Sequence, residues 1–224
     1  MNLYEDSYQR KYEAGTLSYE PPFSLVNFLD NEVLGDLIVP NPKVLEVGCG
    51  AGTLFWHTGK RIDDLQLTAI DVSRYAIREA VANRRENENF VCKDFFDWIS
   101  SEKFDLIVDS HFIHCLTDIN EIHQYLELIR EKLEVCGSFV IETMIEHRDM
   151  FVPGYDPMEK LIYRGEVATR RVFNARELEE LLVEKGFKIK KMFFNKNLKM
   201  IPFDDRNYPM EGDPEVARIV CTGE

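Results

Sequence analysis

Apolar and polar residues alternate along this chain in two rhythms, and the switches between them mark its elements. Tyr4, Tyr8 and Tyr12 recur at i, i+4 and i+8, one stripe of a helix. Pro21-Pro22 ends that lead-in, and Phe23 to Asp36 reads as an amphipathic helix stopped by Val39-Pro40-Asn41-Pro42. Short apolar runs then alternate with helical periods. Strands are expected at Lys43–Val47, Leu65–Asp71, Phe90–Lys93, Phe104–Asp109 and Gly137–Thr143. Between them a helix begins over Thr53–Lys60 and another, with Ser73 as its N-cap, runs over Ser73–Asn87. A short helical turn follows at Asp94–Ser100 and a further helix at Asn120–Leu133. This alternation predicts an α/β domain, a parallel sheet with helices on both faces.

The rhythm breaks between Ile145 and Val172, where Pro153-Gly154, Pro157 and Gly165 interrupt aromatic and charged residues. The stretch reads as an irregular insertion over the sheet edge, and such insertions are uncommon unless functional. Asn174, followed three residues later by Glu177, then opens a helix that ends at Lys185-Gly186. Phe187–Phe194 and Ala217–Thr222 read as closing strands joined by a loop over Asn195–Pro214. No repeat is present, and the 224 residues fit a single domain with residues 1–42 as lead-in and 145–172 as insertion.

Composition narrows the picture. A hydrophobic fraction of 45% suits a globular chain, and no run of about 18 apolar residues suggests a membrane span. The first fifteen residues are polar and mixed in charge, unlike a secretory or transit signal. The net charge of −13 disfavours a nucleic-acid partner. The basic stretch from Lys185 to Lys191, with Lys196 and Lys199, reads as a solvated face. Cys49, Cys92, Cys115, Cys136 and Cys221 have no regular spacing, which points to free thiols and a reducing, cytoplasmic setting.

The chemistry concentrates in Val44-Leu45-Glu46-Val47-Gly48-Cys49-Gly50-Ala51-Gly52. Glycine at every second position after a strand lets the backbone turn and a ligand approach without a Cβ, and the next helical turn offers free N–H groups. The spacing is G-x-G-x-G rather than the G-x-G-x-x-G that seats a pyrophosphate. With Glu46 before it, the loop suits a cationic ligand better. Asp71, about twenty residues on, ends the second strand where an acid can hold ribose hydroxyls. Asp94-Phe95 follows the third strand, where an acid can accept from an adenine amino group beside an apolar cover.

The segments E-V-G-C-G-A-G-T, A-I-D-V-S, C-K-D-F and F-D-L-I-V-D-S resemble the successive motifs of class I S-adenosylmethionine-dependent methyltransferases, of the small-molecule type. The likeness is close over Val44–Thr143 and weaker over Phe173–Phe187. It implies a three-layer Rossmann-like fold whose seven-stranded sheet is mostly parallel with an antiparallel last strand. It also implies S-adenosylmethionine as cofactor, S-adenosylhomocysteine as product, and Glu46, Gly48, Gly50, Asp71, Asp94 and Asp109 at the cofactor. Cys49, Gly52, Val72, Phe95, Ser110 and, from the lead-in, Tyr12 complete the candidate set.

After the fourth strand, Asp109-Ser110-His111-Phe112-Ile113-His114-Cys115 faces the acceptor in the resembled family, and the D/N-P-P-Y signature for DNA and amide nitrogens is absent. His111 and His114 are the candidate bases, since imidazole can take a proton near neutral pH. His111, next to the strand end, is the better placed. The two histidines and Cys115 lack an obvious fourth metal ligand, so no metal is expected; His57, His123 and His147 read as surface or packing residues. Tyr19, Tyr163, Arg170 and Arg171, with Tyr155, are candidates to close over an acceptor, an arginine being suited to a substrate carboxylate. The expected activity is methyl transfer to an O, N or S nucleophile of a small molecule, with no nucleic-acid or membrane partner. A protein or peptide methyltransferase, a non-catalytic cofactor-binding subunit and a nicotinamide-dependent oxidoreductase are the alternatives, the last opposed by the glycine spacing.

Overall fold

The structure is a computed structural model and describes residues 3–59, 65–202, 206 and 208–223. In chain order its elements are α1 (Leu3–Glu13), α2 (Phe23–Glu32), β1 (Lys43–Val47), β2 (Gln66–Asp71), α3 (Arg74–Ala82), β3 (Glu88–Cys92), β4 (Phe104–Ser110), α4 (Ile119–Lys132) and β5 (Leu133–Ile145). The chain continues through β6 (Tyr155–Asp156), β7 (Leu161–Arg164), β8 (Val167–Arg171), α5 (Ala175–Glu184), β9 (Phe187–Lys199) and β10 (Glu215–Gly223). Seven strands form one sheet in the order β3-β2-β1-β4-β5-β10-β9, in which β10, the last in the chain, runs antiparallel to both its neighbours. This is the three-layer Rossmann-like arrangement implied by the motifs.

The described chain divides into two compact units, Met1–Ser110 with Lys132–Gly137, and His111–Glu131 with Ser138–Glu224. In the first, β1 pairs in parallel with β2 and β4, and β2 with β3. Val44, Leu45, Ile70, Leu106, Ile107 and Val108 are buried, as strands covered on both faces require. Each large apolar side chain so buried contributes roughly 1.5–3 kcal/mol. Ser73 caps α3 by accepting from the Ala76 N–H at 3.2 Å.

In the second unit α4 buries Ile122, Tyr125, Leu126 and Ile129, with Tyr125 against Phe112 and Phe139. Asn174 caps α5, accepting from Arg176 and Glu177 N–H at 3.0 and 3.3 Å. The residues 145–172 are not irregular: β6, β7 and β8 form a three-stranded antiparallel sheet. Ile162 and Val172 from this stretch share a core cluster with Met144, Val152, Met200 and Val216, so burial organises a segment whose strands are too short to show a period.

Other boundaries differ from the expectation. No α-helix starts at Thr53; Leu54–Trp56 is a 3-10 turn, and Lys60 lies outside the described residues. Asp94–Ser100 is a hydrogen-bonded turn rather than a helix. β9 runs on to Lys199 through polar residues that read as loop, because β10 supplies pairing as far as Lys199. Of the remaining linker, residues 203–205 and 207 lie outside the described set.

Candidate functional site

The glycine loop leaves β1 between two parallel neighbours. Glu46 lies level with Ala69 and Val108, and Val47 with Ile70 and Asp109, so the ends of three strands converge on the loop. Gly48 and Gly50 take positive φ, 77° and 59°, where a Cβ is unfavourable. The N–H groups of Gly48 and Cys49 both donate to the carbonyl of Ile70, at 2.9 and 3.2 Å, tying the turn to β2.

Two acids brace the loop. Asp71 accepts from Gly50 N–H at 2.9 Å and from Ser73 N–H at 2.8 Å, so one carboxylate joins the loop to the start of α3. Burial raises its pKa, against the pull of those hydrogen bonds. Glu46 is fully buried and accepts from the Thr53 hydroxyl at 2.5 Å and from Leu54 N–H at 3.2 Å. Thr53 Oγ1 in turn accepts from Phe55 N–H at 3.2 Å. Burial pushes Glu46 up to about 8, although hydrogen bonds from Thr53, Leu54 and Ser110 oppose the rise. A positive group arriving beside it would favour the carboxylate and draw off that proton.

Of the tyrosines expected to close over the cofactor, Tyr19 lies against this loop and Tyr12 does not. Tyr12 packs on α3, its ring 5.5 Å from that of Tyr75 and 5.1 Å from the Arg78 guanidinium. Tyr8, one turn earlier, is the residue that reaches the loop: a Cβ on Gly50 would lie 2.6 Å from its hydroxyl oxygen. The side chain of Tyr4 lies outside the described residues. Tyr19 sits against Gly52, where a Cβ would come within 2.4 Å of its ring and 2.7 Å of Trp56. Its ring also stacks on His57 at 5.8 Å, and its hydroxyl is buried with no partner among the described residues. A buried, unsatisfied donor beside a backbone shaped for close approach fits a polar ligand.

The other candidates are dispersed around the strand ends. Asp109 is fully buried and Ser110 half-buried. Cys49 is buried and its thiol is pushed up by that burial, whereas Val72 is exposed. Asp94 is exposed and accepts from Phe96 N–H at 3.0 Å, closing its own turn. Phe95 is buried beside Phe96 and Trp98, which makes it a packing aromatic as well as a candidate cover.

In the second unit His111 takes φ 68°, an unusual conformation for a non-glycine residue and one associated with functional positions. Its Nε2 lies 2.6 Å from Glu142 Oε1, and Arg218 Nε donates to Glu142 Oε2 at 2.5 Å. Burial alone would raise the Glu142 pKa, but its hydrogen bonds and charge pairing with His111 and Arg218 outweigh that and hold it below its ordinary value. His114, 5.6 Å from His111 between ring centres, is buried and its Nδ1 has no partner among the described residues. Burial, helped by the charges of His111 and Arg170, holds its pKa well below the usual value, so His114 is a neutral imidazole.

Arg171 is committed to structure: its Nη2 donates to the Thr117 carbonyl at 2.6 Å, tying β8 to the histidine turn. Arg170 donates to Thr169 O at 2.9 Å and lies close enough to act on His114. Tyr163 is turned to Glu159, and Tyr155 donates to Glu146 at 3.1 Å. Two features escaped the sequence reading, Tyr8 and Glu142. Tyr8 was marked by its stripe; Glu142, inside the apolar run Phe139–Ile145, carried the signal of an acid where a strand should be buried.

Comparison with known proteins agrees with this fold. Residues 45–139 match the family described as a methyltransferase domain. Among curated relatives, the ribosomal RNA small subunit methyltransferase C of Haemophilus ducreyi is 28% identical over 145 residues, covering 60% of this chain and 42% of that protein. The malonyl-[acyl-carrier protein] O-methyltransferase of Bacillus cytotoxicus is 24% identical over 187 residues, covering 80% of this chain and 65% of that protein. The chain thus spans less than two thirds of the length of either. A solved structure of the Burkholderia thailandensis 1,6-didemethyltoxoflavin-N1-methyltransferase, with its substrate and S-adenosylhomocysteine bound, shares the fold with a TM-score of 0.67 at 18% identity, covering 97% of this chain and 86% of that one. Residues 45–139 thus match a methyltransferase domain, and in its motifs and fold the chain is similar to the class I, Rossmann-like S-adenosylmethionine-dependent methyltransferases.

Proposed function

We propose that this chain binds S-adenosylmethionine and transfers its methyl group to an oxygen, nitrogen or sulfur nucleophile of a small molecule. The observation that carries the first half is the loop itself. Gly48 and Gly50 turn the loop at positive φ, Asp71 braces it with a carboxylate, Glu46 is a buried carboxyl that a cation would ionise, and Tyr19 leaves a buried hydroxyl unsatisfied. These groups fit a ligand with two positive centres and a ribose, and no phosphate. The cofactor supplies an electrophilic methyl group on sulfur. Asp71 would hold the ribose hydroxyls, the backbone of the glycine loop and Tyr8 would border the amino-acid end, and Asp94 with Phe95 would take the adenine.

For the acceptor, His111 is the base and His114 a neutral neighbour that packs behind it. The half-exposed His111 carries a carboxylate on its Nε2, whereas the buried His114 is held too weakly basic to collect a proton. Methyl transfer depends on in-line approach, so the fixed positions of these side chains matter as much as their basicity. The chain's net charge of −13 disfavours an RNA acceptor such as the one named for the Haemophilus relative. A second reading, an acceptor carried on a protein, is favoured by the malonyl-carrier relative, whose similarity extends over 80% of this chain. The test is release of S-adenosylhomocysteine, followed by mass spectrometry, with panels of small phenols, amines, thiols and carboxylates against carrier-bound acyl groups. Release with free small molecules supports the proposal; release only with protein-bound acceptors favours the second reading; binding without release leaves a cofactor-binding subunit.

A further inference from the structure

We infer that Glu142 is a positioning residue that fixes the tautomer of His111, leaving Nδ1 as the atom that takes the acceptor's proton. The inference rests on the reading of His111 as the base. Its geometry lies within one unit of the fold.

The donors and acceptors around Glu142 leave one arrangement. Arg218 Nε is an obligate donor and occupies Glu142 Oε2 at 2.5 Å. The remaining oxygen, Oε1, lies 2.6 Å from His111 Nε2. A carboxylate can only accept, so in the neutral imidazole Nε2 must carry the hydrogen and donate it. Nδ1 then holds the lone pair. Glu142 is 2% exposed, so no solvent competes for its oxygens. The charged and titratable groups around His111 are Glu142 on β5, Arg218 on β10, His114 in its own turn and Arg170 on β8 beyond His114. Of these, Glu142 is the one that contacts a ring nitrogen of His111. The left-handed backbone of His111 is held locally, where Cys115 Sγ lies 3.2 Å from the His111 carbonyl. In the proton step, the acceptor's X–H bond breaks and its electron pair stays on X. The proton bonds to Nδ1, and the resulting imidazolium stays paired with Glu142.

Glu142→Gln separates this role from simple packing, because it is nearly isosteric but has one donor end. Arg218 still needs an acceptor, so the amide oxygen must turn to Arg218 and the amide nitrogen to His111. Nε2 must then accept, and the hydrogen moves to Nδ1. The tautomer inverts and the base is lost. Glu142→Asp keeps two accepting oxygens and therefore keeps the tautomer.

The experiment is 15N NMR of the imidazole nitrogens in full-length wild type, Glu142→Gln and Glu142→Asp at the alkaline end of the titration, with His111 assigned by its own substitution. Kinetics are measured on the same samples. Expected are an Nε2–H His111 in wild type and Glu142→Asp, and Nδ1–H in Glu142→Gln. In Glu142→Gln kcat falls about 10²-fold, with cofactor Kd and acceptor KM within twofold of wild type; Glu142→Asp recovers part of kcat. An Nδ1–H His111 in wild type, or an unchanged tautomer in Glu142→Gln, overturns the inference. Should Glu142→Gln not fold, wild type and Glu142→Asp decide it, since both must show Nε2–H. Should no acceptor be methylated, the methyl-transfer reading fails, while the nitrogen spectra still decide what Glu142 does to His111.

Discussion

The hydroxyl of Tyr8 occupies the space a side chain on Gly50 would fill, with 2.6 Å between that oxygen and an ideal Cβ. Two segments more than forty residues apart in sequence are thereby fitted to one backbone. Gly50→Ala faces this contact together with a φ of 59°, which costs a non-glycine residue about 1–2 kcal/mol. Chemical denaturation should show a loss of that size or larger, and calorimetry a weaker affinity for S-adenosylhomocysteine. Tyr8→Phe, which removes the crowded oxygen, should recover part of the lost stability in the double variant.

Asp71→Ala removes the acceptor of two backbone N–H groups, those of Gly50 and Ser73. Each unsatisfied group costs about 1–3 kcal/mol. The variant should unfold at lower denaturant concentration and bind S-adenosylmethionine at least about tenfold more weakly by titration calorimetry, a free-energy loss of about 1.4 kcal/mol.

Glu46 ties ligand binding to pH. Its folded pKa of about 8 lies above the ordinary value of 4.5. The folded, ligand-free protein therefore holds a proton that the unfolded chain has released, and stability declines as pH rises from about 4.5 to 8. Glu46→Gln should flatten that decline in thermal melts recorded across the interval. A cationic ligand favours the carboxylate, so binding at pH 7 should release a proton, seen as a dependence of the calorimetric enthalpy on the buffer's ionisation enthalpy and absent in Glu46→Gln.

His111→Asn tests the base without disturbing the backbone, since asparagine tolerates a φ of 68° better than most residues. Turnover should fall by about 10²-fold or more while the Kd for S-adenosylmethionine stays near wild type. His114→Gln should change stability more than turnover, because His114 is buried and neutral.

What the sequence disclosed follows from how each feature is encoded. The glycine loop, Asp71 and the β1, β2 and β4 strands are local: a few adjacent residues carry spacing, charge and burial together. Thr53 was legible as the start of a helical segment but not of only a 3-10 turn, in which its hydroxyl is shared between Phe55 and the carboxylate of Glu46. The strands β6 to β8 have two, four and five residues, too few to establish a period among prolines and glycines. Asn195–Lys199 looked like loop because its strand state comes from β10 rather than from its own polar composition. Glu142 has partners 31 and 76 residues away, at His111 and Arg218, so only the fold makes its role visible.

Everything proposed for the site depends on recognition of an adenosyl ligand by the loop of Gly48, Gly50 and Gly52. The decisive measurement is isothermal titration of protein freed of carried-over ligand, against S-adenosylmethionine, S-adenosylhomocysteine and NAD in turn. Micromolar binding of the first two and none of NAD is the predicted result; binding of NAD, or a folded protein that binds neither adenosyl compound, would contradict it.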